Sequence, residues 1–310
     1  MIFTLQIFWI LFTIFILGAV FYDLYLQGRR KKEMTLREAG TWTLVWISLA
    51  LLFNLLIYIF LGHNKALEFF TAYLLEKSLS LDNLFVFMVI FTYFGLPVIS
   101  QQKVLKLGIL GAFILRAIFI FGGIFLLQRF EFLFYIFGLF LIYSAIKLFF
   151  QKETKLDIKN NIFFRFLNRF KIINDIKSNK FVVNKGGKTY ITILLVILVL
   201  IESSDVIFAL DSVPAVLAIT QNPFIAYTSN AFAILGLRAL YFFLILLLPK
   251  FYYLKKAIIV LLAFIGIKMI FNQIYHMPII YSLIFILLTL TTAILFSYIK
   301  TKKLEKMGIK

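Results

Sequence analysis

Leu200-Ile201-Glu202-Ser203-Ser204-Asp205-Val206-Ile207-Phe208-Ala209-Leu210-Asp211-Ser212-Val213-Pro214 places three carboxylates inside an apolar run long enough to cross a bilayer. Ionisable side chains at membrane depth are costly and mark ion pathways, so this stretch is a functional-site candidate. A second stretch, Glu76-Lys77-Ser78-Leu79-Ser80-Leu81-Asp82-Asn83-Leu84-Phe85, has the same character. Together they predict one intramembrane cation site. The surroundings agree: of 310 residues, 63% are hydrophobic and 18% aromatic, which excludes an ordinary soluble globule and predicts an all-α polytopic membrane protein.

Runs of about 17–25 apolar residues suit a helix crossing a hydrocarbon core of about 30 Å. Nine are present, near 3–25, 41–62, 67–95, 104–127, 131–150, 189–211, 224–248, 257–273 and 279–299. The third is long, so tilt or a break is expected. No Lys or Arg precedes the first run, so it reads as an anchor and not as a cleaved signal. Twenty-five of the 32 Lys and Arg fall in alternate connections and in the tail, and the opposite side holds Lys65 and Arg129. The positive-inside rule then puts the N-terminus outside and the C-terminus in the cytoplasm, as expected for a bacterial inner membrane protein. The net charge of +18 belongs to these loops and does not predict nucleic-acid binding. The remaining five bases, Lys77, Arg116, Lys147, Arg238 and Lys268, lie within the runs.

In the connection 151–188, Phe163, Phe166, Leu167, Phe170 and Ile173 alternate with Arg and Asn at helical spacing, predicting a basic amphipathic helix on the cytoplasmic leaflet or a solvated linker helix. Gly186-Gly187 predicts a turn before the sixth run. Asp82, Arg116 and Lys147 recur as Asp205, Arg238 and Lys268 with similar neighbours at nearly constant separation. Three runs per unit is odd, so the second unit enters from the other side, as in inverted-repeat transporters. The expected organisation is two helices over 1–62, a three-helix repeat over 63–150, a basic loop over 151–188, a second three-helix repeat over 189–273, and a last helix with a basic tail over 274–310.

Glu202 and Asp205, three apart, share a helix face. Asp211 is half a turn out of phase with Glu202, and joins them only if the backbone unwinds, for which Pro214 gives a reason. Glu76 and Asp82 face the same constraint. Asn83 and Asn230 offer neutral oxygens. Arg116 and Arg238 read as partners for acids or gating pairs, whereas Lys147 and Lys268 are near enough to run ends to snorkel. Asp23 reads as interfacial, and His63 and His276 fall in outer connections. With no cysteine, thiolate metal sites are excluded and an oxygen-served hard cation is favoured. No His-Glu-x-x-His or intramembrane protease segment is present, so an enzyme is not expected and no tightly bound cofactor is called for.

The segments 76–87 and 208–215, with Ser229-Asn230 and Gly236-Leu237-Arg238-Ala239-Leu240, resemble the signature of the TerC family of integral membrane proteins. The likeness runs from about Asp23, through Thr35-Leu36-Arg37-Glu38-Ala39 and Ala66-Leu67-Glu68-Phe69-Phe70, to Gly266-Ile267-Lys268. It implies an inner-membrane protein linked to manganese export and, by its historical name, to tellurium resistance, with Glu76, Asp82, Glu202, Asp205 and Asp211 as the acidic positions that matter. Three readings follow. One is a transporter exporting Mn2+ by proton exchange on these carboxylates. Another is a membrane partner, in contact with the secretion machinery, that supplies metal to exported proteins. The last is a network of ion pairs that only holds helices together.

Overall fold

The computed structural model describes residues 2–28, 35–130, 132–150, 172–173, 180–185, 188–247, 253–271 and 277–306. The structure is mostly helical, with α1 (Ile2–Gly28), α2 (Leu36–Leu61), α3 (His63–Tyr93), α4 (Val98–Arg129), α5 (Leu133–Phe150), α6 (Ile193–Leu217), α7 (Pro223–Ile234), α8 (Leu237–Leu247), α9 (Leu254–Phe271) and α10 (Ile279–Lys306). Local chemistry sets the boundaries. Thr35 and Glu38 form a reciprocal capping box at the start of α2. The single residue Gly62, at φ 89°, turns α2 into α3. Asn222 caps α7 by accepting from the Phe224 and Ile225 N–H groups, with Pro223 at the first helical position.

Five described helices are long and apolar enough to cross a membrane, six if the bent pair α7–α8 counts as one span. The nine runs of the sequence are therefore matched in part. The third run is one unbroken 31-residue helix, α3, about 46 Å long; it carries Lys65, Glu68, Glu76, Lys77 and Asp82 along its length. The break falls instead between α7 and α8, which bend by 41°. Gly236 at the bend has φ 81°, and a Cβ there would meet the Trp46 ring at 2.7 Å, so both backbone and packing demand glycine.

The all-α expectation also needs a correction. Strands β1 (Ile172–Ile173), β2 (Val182–Lys185) and β3 (Lys188–Thr192) form a small sheet in the order β1-β3-β2. β2 pairs antiparallel with β3, Val182 opposite Ile191 and Lys185 opposite Lys188; the turn expected at Gly186-Gly187 lies outside the described residues. The alternating, β-branched Lys-Thr-Tyr-Ile-Thr sequence suits a strand, so the sixth span begins at Ile193. The amphipathic helix expected over 163–174 lies mostly outside the described residues, but its Ile173 is in β1, paired with Thr192.

In the packing, α3 and α6 are central, α4 and α7 flank them, and α5 packs on α9. Gly138 and Gly266 bring the α5 and α9 backbones together: a Cβ on either would lie 2.9 or 2.8 Å from the other's carbonyl oxygen. Gly138 faces Ile270 and Gly266 faces Ile142, a pairing that only antiparallel helices give. On α1, Trp9 packs edge-on against Phe224 of α7 at 5.0 Å. Outward-facing Leu44, Ile59, Phe125 and Leu288 are exposed, as lipid-facing positions of a membrane bundle would be.

Candidate cation site

On α3, Tyr73, Glu76, Ser80 and Asn83 follow each other at three- and four-residue steps and so share a face. Glu76 is wholly buried and Asn83 nearly so. That face meets α6 at Asp205 and Ser212, seven apart and again on one face, and meets α4 at Arg116. Arg116, 1% exposed, is the hub. Its Nη1 donates to Glu76 Oε1, to Ser212 Oγ at 3.1 Å and to Asn230 Oδ1 at 3.4 Å. Nη2 and Nε reach the two oxygens of Asp205 at 3.4 and 3.5 Å. Asn83 Nδ2 donates to Asp205 Oδ1 at 3.1 Å. Asn83 on Asp205, with Glu76 and Ser212 joined through Arg116, fixes α3 and α6 as antiparallel.

The hub has unspent hydrogen-bonding capacity. Glu76 Oε2, Asn230 Nδ2 and, one turn away, Tyr73 OH are buried without a hydrogen-bond partner among the described residues. Burying such atoms costs about 1–3 kcal/mol each, so a site built only to pair charges would leave fewer.

Glu76, Asp205, Asn83, Asn230 and Arg116 thus come together. Glu202 does not touch the hub. It is half-buried, within the electrostatic reach of Asp205, with its carboxylate against Gly108 and Gly111 of α4 and its Oε2 buried without a hydrogen-bond partner among the described residues. Asp211 is corrected: α6 stays helical through Pro214, so Asp211 turns to α5, where it accepts from Ser144 Oγ at 2.7 Å, near Lys147. Proline deletes only one N–H bond of the helix, and neighbouring turns hold it together. Lys147 is exposed, in keeping with snorkelling, but Lys268 is 4% exposed and does not snorkel. Arg238 is buried in the first turn of α8. Asp82 lies on α3, but its side chain, like that of Asp23, falls outside the described residues, as does His276. Among the described residues, no three His, Asp or Glu side chains cluster as a metal centre.

Sequence reasoning missed Ser212, the Ser144 partner of Asp211, and the Gly108–Gly111 recess. The seven-residue step from Asp205 to Ser212, and two glycines three apart facing an acidic helix, were the available signals. It also missed two polar ties at the bundle's ends. Thr220 donates to Glu68, which also pairs with Lys65 at 2.8 Å. Tyr241 OH donates to Gln101 Oε1 at 3.0 Å, and Gln101 Nε2 to Leu96 O at 2.7 Å.

Residues 61–305, the whole helical frame of this hub, match the Integral membrane protein TerC family. The chain belongs to the TerC family. Relatives are similar over nearly their full length. A Salmonella typhi protein named "Putative membrane-bound redox modulator Alx" is 44% identical over 284 residues, covering 88% of each chain. The Escherichia coli K12 protein of the same name is 44% identical over 271 residues, 84% of each. A Rickettsia felis protein named "Uncharacterized membrane protein" is 38% identical over 298 residues, 96% of this chain and 99% of its own. No solved structure matches this TerC-family chain.

Proposed function

We propose that this TerC-family protein is a secondary transporter that exports divalent metal cations, with Mn2+ the cargo that the family resemblance implies. One observation carries the reading: carboxylates from two segments of the chain, Glu76 and Asp205, converge on a single buried cation, the Arg116 guanidinium, in a setting otherwise lined by neutral oxygens. Arg116 stands where a hard cation would. Two carboxylates and one guanidinium leave one negative charge over, whereas two carboxylates and one divalent ion leave none. Cargo entry therefore displaces Arg116 and transfers Glu76, Asp205, Ser212 and the Asn83 and Asn230 carbonyls to the metal, an all-oxygen set suited to Mn2+. Asp82 and Glu202 are expected to lie beside the set as carriers of the exchanged protons, and Asp211 with Lys147 to line a route to it. Protons carried on the same carboxylates provide the exchange.

The antiparallel crossings of α3 with α6 and of α5 with α9 support an inverted repeat, with Arg116 and Arg238, and Lys147 and Lys268, as counterparts. The orientation is N-terminus outside in a bacterial inner membrane. With no cysteine in the 310 residues, a redox role such as the relatives' name suggests could not run by thiol–disulfide exchange within this chain.

The same salt bridges favour a second reading, in which Arg116 merely ties helices together. Mn2+ efflux from liposomes containing the purified protein, driven by a pH gradient, separates the two. Glu76→Gln and Asp205→Asn should each abolish transport. Joint neutralisation of Glu76, Asp205 and Arg116 should leave a folded, inactive protein. Wild-type transport in the triple variant, or in both single variants, sinks the carrier reading.

A further inference from the structure

The bend between α7 and α8 creates a second place in the bundle where a cation is called for. Twelve residues bring α7 about 18 Å in from Asn222, and Lys77 is the fifteenth of 31 residues of α3, so both lie deep within the bundle. A helix ending there presents the negative end of its dipole and carbonyl oxygens without onward N–H partners, the arrangement that binds small cations in broken-helix transporters. The Lys77 ammonium answers it, donating to Ala233 O at 3.1 Å and to Leu235 O at 3.5 Å. These backbone carbonyls are the partners seen for its head group; the carboxylate next to it in sequence, Glu76, is engaged by Arg116.

Two further features suit a preformed site. The carbonyls sit beside a packed bend: Gly236 adopts the positive φ that the bend needs, and Trp46 fills the room against it. The neighbouring positive charge, Arg238, sits at the start of α8, on the far side of the bend from the carbonyl end of α7.

We propose that the carbonyl end of α7 is a cation site distinct from the carboxylate hub, of the class that takes a monovalent alkali ion, and that Lys77 is its built-in occupant. The tethered ammonium does the work of a bound Na+, so the protein stands intact without sodium. The proposal does not depend on which ion the hub carries.

Thermal unfolding of the purified full-length protein, in sodium chloride against choline chloride, tests it. Wild type should melt at the same temperature in both salts. Lys77→Ala should melt lower in choline and recover in sodium, whereas Lys77→Arg, which retains a cation, should show no sodium effect. Equal loss of Lys77→Ala in both salts means that Lys77 is only a helix cap and overturns the site, as does the absence of any loss in choline. Lys77→Ser is read in the same way if the alanine variant does not fold. Failure of both to fold even in sodium also overturns the proposal, because an emptied alkali site would have been filled.

Discussion

Replacing Arg116 by Met tests the hub most directly. The substitution keeps an unbranched apolar stem but removes the guanidinium that Glu76 and Asp205 share, and those carboxylates are 0% and 4% exposed. Removing one partner of a buried ion pair costs about 3–5 kcal/mol, because an uncompensated charge is left behind. Here two carboxylates lose their partner and Ser212 and Asn230 lose a donor, so the upper end of that range is expected. Part of the loss is recoverable if the site takes cargo: a ligand at a hundred times its Kd adds about 2.7 kcal/mol to the folded state. The assay is thermal unfolding of detergent-solubilised protein with Mn2+, with Mg2+ and with neither. Arg116→Met should be strongly destabilised alone, regain a large part of its stability in Mn2+, and regain most of it when combined with Glu76→Gln and Asp205→Asn. A variant as stable as wild type, or one that Mn2+ leaves unchanged, refutes the idea that Arg116 stands in for a metal.

Two glycine substitutions probe the frame around the hub. Gly236→Ala combines a positive φ, worth about 1–2 kcal/mol, with a collision against Trp46, worth about 1–3 kcal/mol more; thermal unfolding should register both, and Trp46→Ala should recover only the second. Gly111→Ala drives a methyl into the Glu202 carboxylate and should cost about 1–3 kcal/mol, a loss that Glu202→Ser relieves in a double-mutant cycle.

Part of the candidate site was legible because polarity is conspicuous in an apolar chain: Glu76, Asn83, Arg116, Asp205 and Asn230 each stand out, but the face that spacing gave to Glu202 and Asp205 together brought only Asp205 onto the hub. What spacing cannot give is the partner across an interface. Asp211 shows the limit. Its phase relative to Glu202 was right, but whether Pro214 would unwind the helix depended on packing around α6, which stays helical through Leu217. The bend went to Gly236, whose need for a positive φ and for room beside Trp46 involves α2, far away in sequence. Lys268 was misjudged for a related reason, since its distance from a run end says nothing about what covers it. The small sheet escaped notice because two of its strands are short and lie in a stretch whose base-rich composition dominated the reading.

Because α3 is unbroken from His63 to Tyr93, it acts as a stiff lever carrying Glu68, Glu76, Lys77 and Asn83 on one shaft. If it rocks by about 10° about the Lys77 contact, Glu68, about 13 Å along the axis, travels about 2 Å, enough to part it from Thr220. Asn83 swings the opposite way against Asp205. Undoing the tie at one rim and loosening the grip at mid-depth are then a single movement.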